Sequence, residues 1–118
     1  YEEKQIAANL LSKMPTAGSI VNEAKNEQLG ITEYTLSNGV KVTIKPTDFK
    51  ADEIVMTAFR NGGLSDYGVA DKYSANYAST VVSQMGVSNF SPVDLRKFLA
   101  GKVANVQPRI DGLTSGFT

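Results

Sequence analysis

Histidine and cysteine are both absent from this 118-residue chain, and so is tryptophan. Without imidazole or thiolate there is no ordinary zinc ligand set, no histidine base for a serine nucleophile, no disulfide framework and no thiol catalysis. The Asp and Glu side chains are able to bind a hard cation, but no local spacing builds a site for one. An excess of either charge is lacking as well: Lys plus Arg and Asp plus Glu number 12 each, so the formal net charge is zero. Phosphate recognition draws on clustered positive charge, so nucleic acid is not an expected partner. No run of about 18 apolar residues exists, which excludes a membrane-spanning helix. The opening Tyr1-Glu2-Glu3-Lys4 has neither an initiator Met nor a basic-then-apolar signal, and reads as a cut inside a longer protein.

What is present has an ordinary globular balance, 42% apolar and 20% charged, in a length that fits one domain or a piece of a larger one. Ile6, Ala7, Leu10, Leu11 and Met14 form one apolar stripe, predicting a helix over Glu2–Met14 that Pro15 and Gly18 break. Residues 16–31 sustain no period and read as a surface connector. Glu33–Ser37 and Val40–Lys45 alternate on either side of Asn38-Gly39, which predicts a β-hairpin on a type I′ turn, with Val40, Val42 and Ile44 inward. Glu53–Phe59, apolar on both faces around Ile54, Val55 and Met56, predicts an interior strand.

A helix is expected from about Val69 to Met85, its core-facing stripe carrying Val69, Tyr73, Tyr77, Ala78, Val81, Val82 and Met85, with Gly86 just past its end. A second helix starts at Ser91 as N-cap, with Pro92 at its first position, Asp94 in its first turn and Leu95, Phe98 and Leu99 buried; Gly101 stops it. Residues 104–110 alternate as a strand whose Pro108 demands an edge or a bulge. Asp111-Gly112 then turns the chain into a last strand that stops at Thr118, so the C-terminus also reads as cut. The fold class is α+β, a mostly antiparallel sheet backed by helices.

Few constellations suggest chemistry. No serine has a lysine three residues on, which removes the Ser-x-x-Lys nucleophile. Asp52, Glu53, Asp66 and Asp71 lie near loop and helix ends as possible paired carboxylates, although solvated charge is the simpler reading. Gly62-Gly63 precedes a helix without the pattern of a phosphate loop, and reads as a strand end that needs a flexible φ. Asn89-Phe90-Ser91 fits a glycosylation acceptor only formally, because Ser91 is a cap. Tyr73 and Tyr77 stand one turn apart and read as core.

The ordered series Leu36-Ser37-Asn38-Gly39-Val40-Lys41-Val42, then a strand, then Asn61-Gly62-Gly63-Leu64, then Gly68-Val69-Ala70 opening a helix, resembles the start of a domain in the pitrilysin/insulinase family of inverted-motif zinc peptidases. Asn89-Phe90-Ser91, Leu95, Leu99-Ala100-Gly101 and Val106 are similar to that family too, so the match runs over residues 29–118. In a catalytic half of the family, the helix after Gly-Leu-Ala carries His-x-x-Glu-His: two imidazoles bind zinc and the glutamate activates its water. The resemblance lays those five positions on Asp71, Lys72, Tyr73, Ser74 and Ala75. Asp71 stands for the first His, Ser74 for the base and Ala75 for the second His; a third ligand would fall beyond Thr118.

The resemblance therefore implies a truncated half-domain of the pitrilysin-like fold from the family's inactive, non-catalytic second half. Residues 1–32 would be a helix and interdomain connector, and 33–118 the amino-terminal part of the inactive α+β domain. No catalytic, metal or cofactor residue is assigned to this chain. Zinc would belong to a sister catalytic half, in the same chain or another, and the two halves would close a peptide-cleavage chamber. The parent would be a zinc-dependent metalloendopeptidase, in the periplasm or cell envelope if bacterial. The alternative is a peptidase-derived binding or scaffold domain without a proteolytic partner. Truncation also implies a fragment that self-associates, since the strand starting near Leu113 would lack its neighbours.

Overall fold

The computed structural model describes residues 8–118, in which β-strands and helices follow in the order β1 (Ile20–Asn26), β2 (Ile31–Leu36), β3 (Lys41–Ile44), β4 (Ala58–Asn61), α1 (Lys72–Ser83), α2 (Pro92–Phe98), β5 (Pro108–Ile110) and β6 (Thr114–Phe117). The chain is α+β as its sequence predicts, but its strands form two three-stranded antiparallel sheets, β1-β2-β3 and β4-β6-β5. The sheets lie in different compact units, residues 13–54 in one and residues 8–12 with 55–118 in the other.

In the first unit the expected hairpin is present, with Thr32 opposite Ile44, Tyr34 opposite Val42 and Thr35 opposite Lys41. Its turn is not type I′. Gly39 alone has a positive φ, 85°, and Ser37-Asn38-Gly39 form a three-residue loop closed by hydrogen bonds from Gly39 N–H to the Leu36 carbonyl (2.9 Å) and from Leu36 N–H to the Val40 carbonyl (2.8 Å). Asn38 Oδ1 accepts from Val40 N–H at 3.1 Å, which is why Asn suits that place without adopting a left-handed backbone. Val42 is half-buried as expected, whereas Val40 and Ile44 are exposed. The connector expected over 16–31 contains β1, which pairs antiparallel with β2 from Asn22 opposite Thr35 to Asn26 opposite Ile31. All seven β1 residues are exposed. Backbone pairing holds this strand, and with neither face buried its sequence has no reason to alternate.

Residues 8–14 are not helical, and the rest of the expected first helix lies outside the described residues. The interior strand expected over 53–59 shrinks to β4, displaced toward its C-terminal side and at a sheet edge. Ile54 (95%), Val55 and Met56 are all exposed and lie outside any strand, so the apolar run marks neither burial nor pairing. β6 occupies the centre of the second sheet, paired on both sides, so the edges left open are those of β4 and β5 rather than the last strand. Pro108 sits on the β5 edge. The preceding Gln107 exchanges both hydrogen bonds with Thr118 (2.8 and 3.0 Å), which turns the proline nitrogen away from β6, where no donor is required. The β5–β6 loop centres on Gly112-Leu113, one residue later than expected, with Asp111 N–H donating to the Thr114 carbonyl at 2.8 Å.

α1 starts at Lys72, after 3₁₀ turns at Leu64–Asp66 and Val69–Asp71, and ends at Ser83. Of its residues Ala75 alone is buried, at 5% exposure; Tyr73 (73%) and Tyr77 (64%) are exposed, as are Val69, Val81, Val82 and Met85. The stripe read as core is uncovered within the unit, and Tyr73 and Tyr77 are not core residues. Gly86 is not a left-handed cap. A Cβ there would collide with the carbonyl of Phe90, because Val87 and Phe90 exchange hydrogen bonds (3.1 and 2.9 Å) across Ser88-Asn89. α2 begins as predicted: Ser91 Oγ accepts from Asp94 N–H at 3.2 Å and donates to Asp94 Oδ2 at 2.8 Å, with Pro92 at the first turn. Its apolar side packs Phe98 edge-on against the buried Phe90, centroids 5.1 Å apart, with Lys102 Nζ 5.0 Å from the Phe98 ring centre.

Candidate functional site

The opening turn of α1 holds Asp71, Ser74 and Ala75, the positions singled out by the resemblance, and the residues before it fix where that turn sits. Gly62 turns the chain out of β4 with a φ of 95°, a left-handed value that disfavours other residues. Gly63 is buried so closely against Asp111 and Thr114 that a Cβ would strike the Asp111 carbonyl. Three backbone bonds dock this segment on the β5–β6 loop: Gly62 N–H to the Leu113 carbonyl (2.9 Å), Leu64 N–H to the Asp111 carbonyl (2.8 Å) and Ser65 N–H to the Gly112 carbonyl (2.9 Å). The two glycines thus serve different needs, a left-handed φ and a close approach. The Gly62, Leu64 and Ser65 amide groups are thereby spent on carbonyls.

Beyond it, Asp71 is the N-cap residue of α1 but makes no side-chain capping hydrogen bond. Ser74 is exposed, and Ala75 points into the unit, buried at 5%. Residues 71 and 75 are four apart and so lie on one side of a helix, the spacing a pair of imidazoles needs to share a metal. Here that pair is a carboxylate and a methyl group. A single carboxylate without an imidazole supplies neither a tetrahedral zinc site nor a base held against a bound water. Among the described residues no three His, Cys, Asp or Glu side chains gather where a metal ion would be held.

The remaining candidates stay apart from any cleft chemistry. Glu53 forms an exposed ion pair with Lys50 at 3.5 Å, Asp52 is exposed, and Asp66 lies in the 3₁₀ turn beneath Gly62. Asn89 sits in the tight turn before Phe90, which is buried, while the Ser91 hydroxyl is engaged in capping, so the formal acceptor triplet is taken up by structure. Two open pockets line the second unit. An apolar one of about 240 Å³ involves Leu10, Leu11 and Phe90, and a polar one of about 370 Å³ involves Ser79, Ser83, Asn105 and Gln107. Neither contains an ionisable side chain, so neither offers acid–base catalysis. Sequence pattern gave no sign of the polar pocket, because its residues come from the end of α1 and the irregular segment before β5.

No helix among the described residues is long and apolar enough to cross a membrane. No family model matches the chain, and no solved structure matches it. Among curated proteins, an Arabidopsis thaliana protein described as "Zinc protease PQQL-like" is 36% identical over 100 residues, which is 85% of this chain and 10% of that relative. The chain therefore spans about a tenth of the length of the relative it resembles, and over that tenth the similarity supports a relationship to zinc proteases.

Proposed function

We propose that this chain is part of the non-catalytic half of a pitrilysin-type zinc metallopeptidase, closing a peptide-cleavage chamber around a zinc-bearing sister half. The observation that carries this reading is the opening turn of α1. It follows the Gly62-Gly63 loop in the expected order, starting at Lys72 after a 3₁₀ turn from Val69, yet it presents Asp71, Ser74 and a buried Ala75 where two zinc-binding imidazoles and a catalytic glutamate would stand. Similarity to a protein described as a zinc protease gives the peptidase its support. On this reading residues 33–118 are the amino-terminal part of the inactive domain and residues 1–32 lead into it. Zinc, substrate cleavage and the catalytic base all belong to the sister half, in the same polypeptide or a partner, and the setting is a cell envelope if the parent is bacterial.

The test combines metal analysis with capture of the sister half. Dialysed against zinc and washed, the purified chain is expected to retain no stoichiometric metal and to turn over no peptide. Its polypeptide partner is expected to contain His-x-x-Glu-His and bound zinc. Stoichiometric zinc in the chain, or peptidase activity that copurifies with it, would overturn the proposal. A stable partner that lacks both zinc and proteolysis would replace it with a scaffold role.

A further inference from the structure

The free edge of β1 carries a charge pattern that complements itself. Leu36 N–H donates to the Val40 carbonyl, so in the β2–β3 ladder Leu36, Tyr34 and Thr32 direct their backbone groups to β3. Thr35, Glu33 and Ile31 therefore direct theirs to β1, where they face Asn22, Ala24 and Asn26. Ser37 N–H, which donates to the Ser19 carbonyl at 2.8 Å, has the same parity. The amide and carbonyl groups of Glu23 and Lys25 consequently point away from the sheet, and β1 is a terminal strand in it. Glu23 and Lys25 share a face and already approach to 3.5 Å within the strand.

We infer that the occupant of this edge is β1 of a second copy, paired antiparallel about a two-fold axis at Ala24. Pairing must join outward-pointing groups to outward-pointing groups and keep the two faces in step, which limits the two-fold registers to those centred on single residues. Centred on Glu23, the register opposes Glu23 to itself. Centred on Lys25, it opposes Lys25 to itself and Glu23 to Glu27. Centred on Ala24, it places each Glu23 opposite the other copy's Lys25, in two hydrogen-bonded pairs, with Ala24 facing Ala24 at the axis. Charge alone selects this register, because opposite charges across a ladder stabilise it and like charges oppose it. The other outer edge of the same sheet has no such solution. β3 and its flank carry Lys41 and Lys45 and no acid, so no register of that edge on itself forms an ion pair, and edge lysines guard against pairing. The product is a closed dimer with a continuous six-stranded sheet, independent of the peptidase reading.

A chain without cysteine makes the geometry directly testable. Ala24→Cys places a thiol on the axis in a non-hydrogen-bonded pair, where Cα atoms stand about 4.5 Å apart, within disulfide reach. Oxidation is expected to link this variant into dimers, while Thr43→Cys on the β3 edge stays monomeric. In sedimentation the parent chain is expected to reach a dimer as its limiting species. Lys25→Glu should weaken that dimer by about tenfold through two Glu–Glu oppositions, and the exchange Glu23→Lys/Lys25→Glu should restore it with an unchanged circular dichroism spectrum. A chain that stays monomeric, a dimer indifferent to Lys25→Glu, linkage at Thr43 in place of Ala24, or an open-ended series of oligomers from β1-on-β3 pairing would each overturn the inference.

Discussion

Position 75 carries a methyl group and position 74 a hydroxyl, in opposite surroundings. Ala75 is buried and Ser74, one residue earlier, is exposed. Restoring the motif therefore meets unequal resistance. Ala75→His forces a larger polar ring into occupied space, and overpacking of this kind typically costs about 1–3 kcal/mol. Ser74→Glu, on the solvated side, should change stability by about 0.5 kcal/mol or less. Denaturant titration of the two variants checks the contrast; equal costs would show that Ala75 is not confined as its burial implies. Sequence revealed the identity of residue 75 but not its burial. That depends on which side of α1 meets β5, a matter decided by contacts distant in the chain. By contrast the Ser91 cap was legible, because its bonds to Asp94 span three residues.

Local chemistry fixed the elements that could be read, and long-range contact decided those that could not. The Asn38-Gly39 hairpin and the Ser91-Pro92 helix start carry their instructions within a few residues. β1 leaves no pattern in the sequence because an exposed edge strand need not alternate, and 53–57 misleads because an apolar run predicts burial only when something covers it. Motif order alone singles out positions 71–75, as the proposed function requires, whereas the self-complementary edge depends on the β2 register, which sets which groups of β1 point outward. α1 shows the same division: its period gave the helix correctly and its environment wrongly. Val69, Tyr73, Tyr77, Val81 and Met85 follow at intervals of four and all remain exposed. Replacing Tyr73 and Tyr77 with Lys should leave helical content unchanged within about 0.5 kcal/mol per site, since surface changes cost little. It should also lower binding of an apolar dye that reports exposed hydrophobic surface. Loss of helix in the double variant would mean that the tyrosines pack as core after all.

The two compact units differ in how their stability is built. Residues 55–118 surround the buried Phe90 and Ala75 and add an edge-on aromatic pair and a capped helix. No side chain of residues 13–54 is buried; Ile31, Tyr34, Leu36 and Val42 are half-covered on a three-stranded sheet. Three strands with one partly apolar face lie near the lower limit of independent stability, and local opening is easiest where little apolar surface is covered. Amide exchange at low concentration should therefore be at least about tenfold faster through β2 than through β6, although each is the central strand of its sheet. Equal central position removes edge exposure as an explanation, so the comparison isolates burial. Equal protection, or slower exchange in β2, would mean that coverage from outside residues 13–54 sustains that sheet.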